Sequence, residues 1–138
     1  MAEARGITLT VTAPTPAPAR ASRGDVKRAL SNLVANALQH TPSGGTVELG
    51  VAPSAARVDV VVADDGYGID ERSRGALFQR FSSAPRAGGG TGLGLYIVRR
   101  IAEESGGAVH YAPREPRGSV FTFSLPSFDK LRMTGSSG

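Results

Sequence analysis

The chain contains no cysteine, which excludes disulfides, thiolate zinc sites and cysteine nucleophiles and leaves the redox compartment open. It has no run approaching the roughly 18 apolar residues that a membrane helix needs. Residues 1–6 carry no apolar signal core. The chain therefore reads as soluble, whether or not it belongs to a membrane-bound parent. Aromatic residues make up only 6%, and no basic run is interleaved with them, so neither nucleic acid nor a membrane is an expected partner. What remains is one domain's worth of chain, 138 residues with 40% apolar and 20% charged, enough to bury a single core. Its 18 glycines and 9 prolines are clustered, as in turns and ligand loops rather than a disordered composition. The net charge of +4 comes mostly from arginines, a side chain suited to phosphate groups.

Residues 7–11 alternate apolar residues with threonine, the period of a half-buried strand. A proline- and alanine-rich loop follows over 13–21. A helix is predicted next, with Asp25 as its N-cap and Val26, Ala29, Leu30, Leu33, Val34 and Ala37 at helical spacing up to Pro42. Residues 46–51 and 57–63 read as strands, the second apolar enough to be central in a sheet. Regular structure thins from Asp64 to Thr91, with a short helical piece at 71–81. A second helix opens at Gly92 and ends at Gly106-Gly107, and a hairpin of strands 108–112 and 119–125 closes the domain. Two long helices serving five strands predict an α/β two-layer sandwich, a sheet covered on one face by helices. The domain is assigned to residues 1–126, and 127–138 to a disordered tail or linker remnant.

Three segments carry chemistry. On the first helix Asn32, Asn36 and Gln39 fall within about 60° of arc, an unusual use of asparagine, which is a poor helix-interior residue. Their carboxamide oxygens are neutral hard ligands of the kind Mg²⁺ accepts beside phosphate and water. Next, the apolar strand 58–63 runs into Asp64-Asp65-Gly66-Tyr67-Gly68-Ile69. A carboxylate held at that strand end suits an exocyclic amine such as adenine's, and the glycines let backbone approach a ligand. Third, Gly88-Gly89-Gly90-Thr91-Gly92-Leu93-Gly94-Leu95 leads directly into an apolar helix. Bare amides at a helix start form an anion site, and the spacing fits neither a Rossmann fingerprint nor a Walker loop. Between the last two lies Leu77-Phe78-Gln79-Arg80-Phe81 and then the polar stretch 82–89, the pattern of a mobile lid.

In this order the pieces resemble the ATP-binding catalytic domain of sensor histidine kinases, within the GHKL superfamily that includes DNA gyrase and the MutL proteins. Asn32 to Thr41 resembles the asparagine box, Asp64 to Ile69 the first glycine box, Leu77 to Phe81 the phenylalanine box and Gly90 to Leu95 the second glycine box. The resemblance implies a Bergerat-type fold with ATP and Mg²⁺ as cofactors. By it Asp64 binds the adenine amine, Gly66, Gly68 and Ile69 line the purine pocket, and Asn36 ligates Mg²⁺ with Asn32 beside it. The same resemblance adds Gln39, His40, Phe81 and Arg86 to the nucleotide site, with Gly90, Thr91, Gly92, Leu93, Gly94 and Leu95 around the phosphates. It implies transfer of the γ-phosphoryl of ATP to a histidine on a separate dimerisation domain, a response regulator downstream, and a cytoplasmic location.

Two departures stand out. Gln39 occupies a position where the family often has lysine, and no His-Glu-x-x-x-Pro acceptor segment precedes the domain. His40 and His110 are not acceptors, so the chain is expected to be the catalytic half of a kinase, inactive alone. Two rival readings use the same nucleotide fold: an anti-sigma-factor serine kinase, against which the phenylalanine box argues, and a non-catalytic nucleotide-binding regulatory domain.

Overall fold

Alternation along two strands builds the floor of the domain. In a computed structural model, which describes residues 6–12, 22–79 and 93–127, Val58, Val60, Val62 and Asp64 on one strand are buried, as are Ser119, Phe121, Phe123 and Leu125 on its neighbour, while the residues between them are more exposed. Successive strand residues point to opposite faces, so these rows form one continuous inner surface. The strands are β1 (Thr8–Thr12), β2 (Thr46–Pro53), β3 (Arg57–Asp64), β4 (Ala108–Pro113) and β5 (Ser119–Pro126). Their order across the sheet is β1-β2-β3-β5-β4, with β1 parallel to β2 and every other pair antiparallel. The sheet is mixed, as the interspersed elements suggested.

Helices α1 (Arg23–His40) and α3 (Gly94–Glu104) pack on each other and on the inner face; a short α2 (Glu71–Arg74) precedes the turns to residue 79. From α1 come the buried residues Ala29, Leu33 and Ala37, and from α3 Leu95, Val98, Ile101 and Ala102. They close over Val62, Phe121 and Phe123, all fully buried. Truncating either phenylalanine to alanine removes about 3–5 kcal/mol of stability. This is the expected two-layer α/β sandwich.

Two local features differ from the expectation. The N-cap of α1 is Ser22, not Asp25: the Ser22 hydroxyl accepts from the Asp25 amide at 3.1 Å. A hydroxyl three residues upstream satisfies that amide, and the Asp25 carboxylate sits in the first turn, where the helix dipole favours it. Of the predicted helical piece at 71–81, the described residues are helical over Glu71–Arg74; turns follow from Gly75, with Gln79 N–H donating to the Ala76 carbonyl at 3.1 Å, and residues 80 and 81 lie outside the described residues. The α3 helix begins at Gly94; Gly92, the loop 13–21, the stretch 82–89 and the tail 128–138 lie outside the described residues. At its other end Gly106 and Gly107 donate to the Glu103 and Ala102 carbonyls at 3.1 and 2.8 Å, stopping the helix where the glycine pair predicted. Ser127 is buried and its amide bonds the Ala56 carbonyl at 3.1 Å.

Candidate functional site

The site forms where β3, the end of α1 and the start of α3 meet. Asp64 is the last residue of the buried row on β3 and is 1% exposed. Its Oδ1 accepts from the Gly66 amide at 2.9 Å. Burial pushes the Asp64 carboxyl above its ordinary value, against the lowering pull of the Gly66 amide, of His40 and of the Ser119 backbone, while neighbouring Asp65 adds to the rise. Desolvation disfavours the charged form unless donors compensate. The two adjacent aspartates differ in role. The Asp65 Oδ1 accepts from the Thr46 amide at 2.8 Å, and its own amide donates back to the Thr46 carbonyl at 3.2 Å. Asp65 is a staple to β2, whereas Asp64 faces inward.

The loop beyond Asp64 lies against the end of α1. Tyr67 N–H donates to the His40 carbonyl at 3.0 Å. A Cβ on Gly66 would overlap that carbonyl oxygen, so a side chain there would push backbone from backbone. Gly68 has a φ of +79°, a left-handed conformation that glycine takes freely. Tyr67 points out, 69% exposed, while the Ile69 side chain joins the core.

The polar stripe of α1 is not a solvated face. Asn36 is 5% exposed, and both its Nδ2 and Oδ1 are buried with no partner among the described residues. Leaving a buried amide unpaired costs about 1–3 kcal/mol, which a helix surface would not tolerate without use. One turn away Asn32 donates through Nδ2 to the Arg28 carbonyl at 3.0 Å, which turns its Oδ1 toward α3; a Cβ built on Gly94 would sit 3.3 Å from that oxygen. His40, half-buried, bonds through Nδ1 to the Asn36 carbonyl at 2.9 Å. Gln39 is half-buried on the same helix.

Helix α3 supplies the third wall. Leu93 occupies its N-cap and provides no side-chain cap bond, and the first turn has no acidic residue. The positive end of the helix dipole, with no acidic residue in its first turn, favours an anion there. Leu95 turns its side chain into the core, so only its backbone faces this end. Phe81, Arg86, Gly90, Thr91 and Gly92 lie outside the described residues.

One residue escaped the sequence reading. Ser119 pairs with Asp64 across β3 and β5, is 1% exposed, and its Oγ has no hydrogen-bond partner among the described residues. Only the strand register reveals it. Among the described residues no group of three or more His, Cys, Asp or Glu could hold a metal, so a cation here would depend on asparagine and ligand oxygens.

A buried carboxylate at a strand end, an unpaired asparagine amide and a helix start without acidic residues suit a nucleotide site. Residues 21–128 match the family described as the histidine kinase-, DNA gyrase B- and HSP90-like ATPase. The chain belongs to this family. It is 33% identical over 126 residues to the sensor-like histidine kinase SenX3 of Mycolicibacterium smegmatis, an alignment covering 88% of this chain and 33% of that protein. The nucleotide-free catalytic domain of histidine kinase ThkA superposes with a TM-score of 0.81 at 30% identity, covering 91% of this chain and 84% of that one. Full-length ShkA in complex with AMPPNP gives 0.77 at 33% identity, covering 91% and 27%. The domain is thus the Bergerat-type ATP-binding catalytic domain found in sensor histidine kinases, and it spans about a third of the length of SenX3. Among the described residues no helix is long and apolar enough to cross a membrane.

Proposed function

We propose that this domain holds ATP between α1, the loop 64–69 and the start of α3, and presents the γ-phosphoryl to a histidine on a dimerisation domain. The observation that carries the reading is Asn36, a buried carboxamide with both polar atoms unpaired among the described residues, in a domain that also buries Asp64. In this reading the Asp64 carboxylate accepts from the adenine amine, and Gly66 and Gly68 let the purine approach the backbone. Ser119 offers its hydroxyl to the same edge of the base. The Asn36 Oδ1 holds Mg²⁺, with Asn32 as a second carboxamide beside it. A cation held there would supply neutralisation of phosphate charge during transfer. Amides from Gly90 to Gly94 hold the phosphates against the α3 dipole, and Phe81, Arg86, Gln39 and His40 complete the surround.

The domain's own work is positioning. It binds the base, aligns the triphosphate and leaves the γ-phosphorus open to an incoming imidazole nitrogen. The P–N bond forms as the bond to the bridging oxygen breaks, and ADP leaves. A structural neighbour is histidine kinase ThkA in complex with the response regulator protein TrrA, which supports a response regulator as the downstream acceptor here. ATP supply places the domain on the cytoplasmic side.

The test is incubation with ATP, Mg²⁺ and a separately prepared histidine-containing dimerisation domain. Acid-labile phosphate on that domain is the expected product. Acid-stable phosphoserine on a partner protein, or binding with no transfer to any cognate acceptor, would contradict the reading.

A further inference from the structure

The five-residue loop that follows Asp64 contains two glycines, and such a segment does not hold its shape unaided. Two bonds fix its interior: Gly66 N–H to Asp64 Oδ1 at 2.9 Å and Tyr67 N–H to the His40 carbonyl at 3.0 Å. Its two end carbonyls are each taken by an arginine. Arg117 Nε donates to the Asp65 carbonyl at 3.0 Å, and Arg74 Nε donates to the Ile69 carbonyl at 3.2 Å.

Each arginine is held from outside the loop. Arg117 precedes Gly118, which has a φ of +116° and lies so tightly on the end of β3 that a Cβ there would overlap the Asp64 carbonyl oxygen. A Cβ on Gly68 would in turn sit 3.4 Å from the Gly118 carbonyl. The turn carrying Arg117 therefore runs directly along the loop. Arg74 leaves α2 with its guanidinium over the Tyr111 ring of β4, 5.5 Å from the centroid, a favourable cation–π placement. Neither bond involves α1 or α3, the elements that carry the phosphate end.

We propose that Arg74 and Arg117 are positioning residues for the base: they clamp the two ends of loop 65–69 so that Asp64 and the glycine backbone meet the purine already ordered. This rests on the proposed ATP site. Ordering a loop on binding subtracts from affinity, and a hydrogen bond from a charged donor to a carbonyl is a fixed, directional restraint. The arginines act through the loop, so their removal weakens adenine nucleotides by the same factor, whatever their phosphate count, and weakens a poorly matched base less.

The experiment is calorimetry on the intact chain with ATP, ADP and GTP, using Arg117→Ala, Arg74→Ala, Arg117→Lys and an Asp64→Asn control, with thermal melts of each unliganded variant. Arg117→Ala is expected to weaken ATP and ADP equally, by about three- to tenfold, and to narrow the preference for ATP over GTP. Arg117→Lys, which keeps a cationic donor, recovers most of the loss. Arg74→Ala behaves likewise, with some loss of melting temperature from the missing contact with Tyr111. A loss greater for ATP than for ADP would mean a direct phosphate contact and overturn the clamp. So would unchanged affinity and base preference in both alanine variants, whatever their melting temperatures. If the parent chain binds no nucleotide, the site reading itself fails; if it binds and Asp64→Asn does not, only the clamp is at stake.

Discussion

The two ends of the site are built on opposite rules. At the base end most backbone polar groups beside the buried aspartate are engaged, with Gly66 on Asp64, Thr46 on Asp65 and Tyr67 on His40, and the Ser119 hydroxyl is left for the base. At the phosphate end the buried Asn36 amide has no partner among the described residues, and α3 starts without a side-chain cap. The base end is held by these bonds, and its cost is a desolvated carboxylate. At the phosphate end the Asn36 amide is left for ligand oxygens and a cation to complete. Recognition of the base is thereby separated from the handling of the group to be transferred, which must stay movable.

Mutations at the two ends should therefore fail differently. The largest effect is expected from Asp64→Asn, which sets an amide donor against the adenine amine. Nucleotide affinity measured by calorimetry should fall by about 30- to 100-fold while the fold, followed by circular dichroism, is kept. Unchanged affinity would remove Asp64 from the base pocket. Asn36→Ala inverts the pattern. The unliganded domain should be as stable as the parent or up to ~1 kcal/mol more stable, since an unpaired buried amide is gone and alanine favours helix. Its ATP affinity should lose its dependence on Mg²⁺; a variant as Mg²⁺-sensitive as the parent would break the contrast.

Acidity separates the ends further. Because the Asp64 carboxyl is raised by burial, ATP affinity should fall as pH drops through that raised value, above the usual carboxylate range. Stability of the unliganded domain moves the other way. The penalty for burying the charge is absent below the unfolded pKa and sets in as pH rises to the folded one. Both trends should flatten in Asp64→Asn, and an equal pH slope in parent and variant would assign the effect elsewhere. The smallest effect is reserved for Ser119→Ala: an unfolding free energy within about 0.5 kcal/mol of the parent and an ATP affinity reduced by about two- to fivefold. A larger loss of stability would show that the hydroxyl serves the fold rather than the ligand.

Much of this was legible in the chain itself. The apolar run at 57–63 marked a central strand and 119–125 a strand of the closing hairpin, and apolar spacing at 26–37 and 93–101 marked both long helices, because period and burial are local properties. The asparagine pair and the Asp64-to-Ile69 run marked the site for the same reason: residue types that local structure does not favour need another cause. What was not legible depended on register and reach. Nothing in the order of residues places Ser119 opposite Asp64, or carries Arg117 across 52 positions to the Asp65 carbonyl. Nor could composition say that Ser22 rather than Asp25 would cap α1, since both are good caps and the choice turns on which hydroxyl or carboxylate reaches the third amide.

The most direct test of the account is a titration of the domain with ATP and Mg²⁺ followed by backbone and asparagine side-chain amide NMR. The account predicts that ATP alone shifts Gly66, Gly68 and the other amides around Asp64, and that Mg²⁺ with ATP then adds shifts at the Asn36 side chain, Asn32 and Gly94. Shifts confined to the outer sheet face, around Val61, Thr122 and His110, would contradict it.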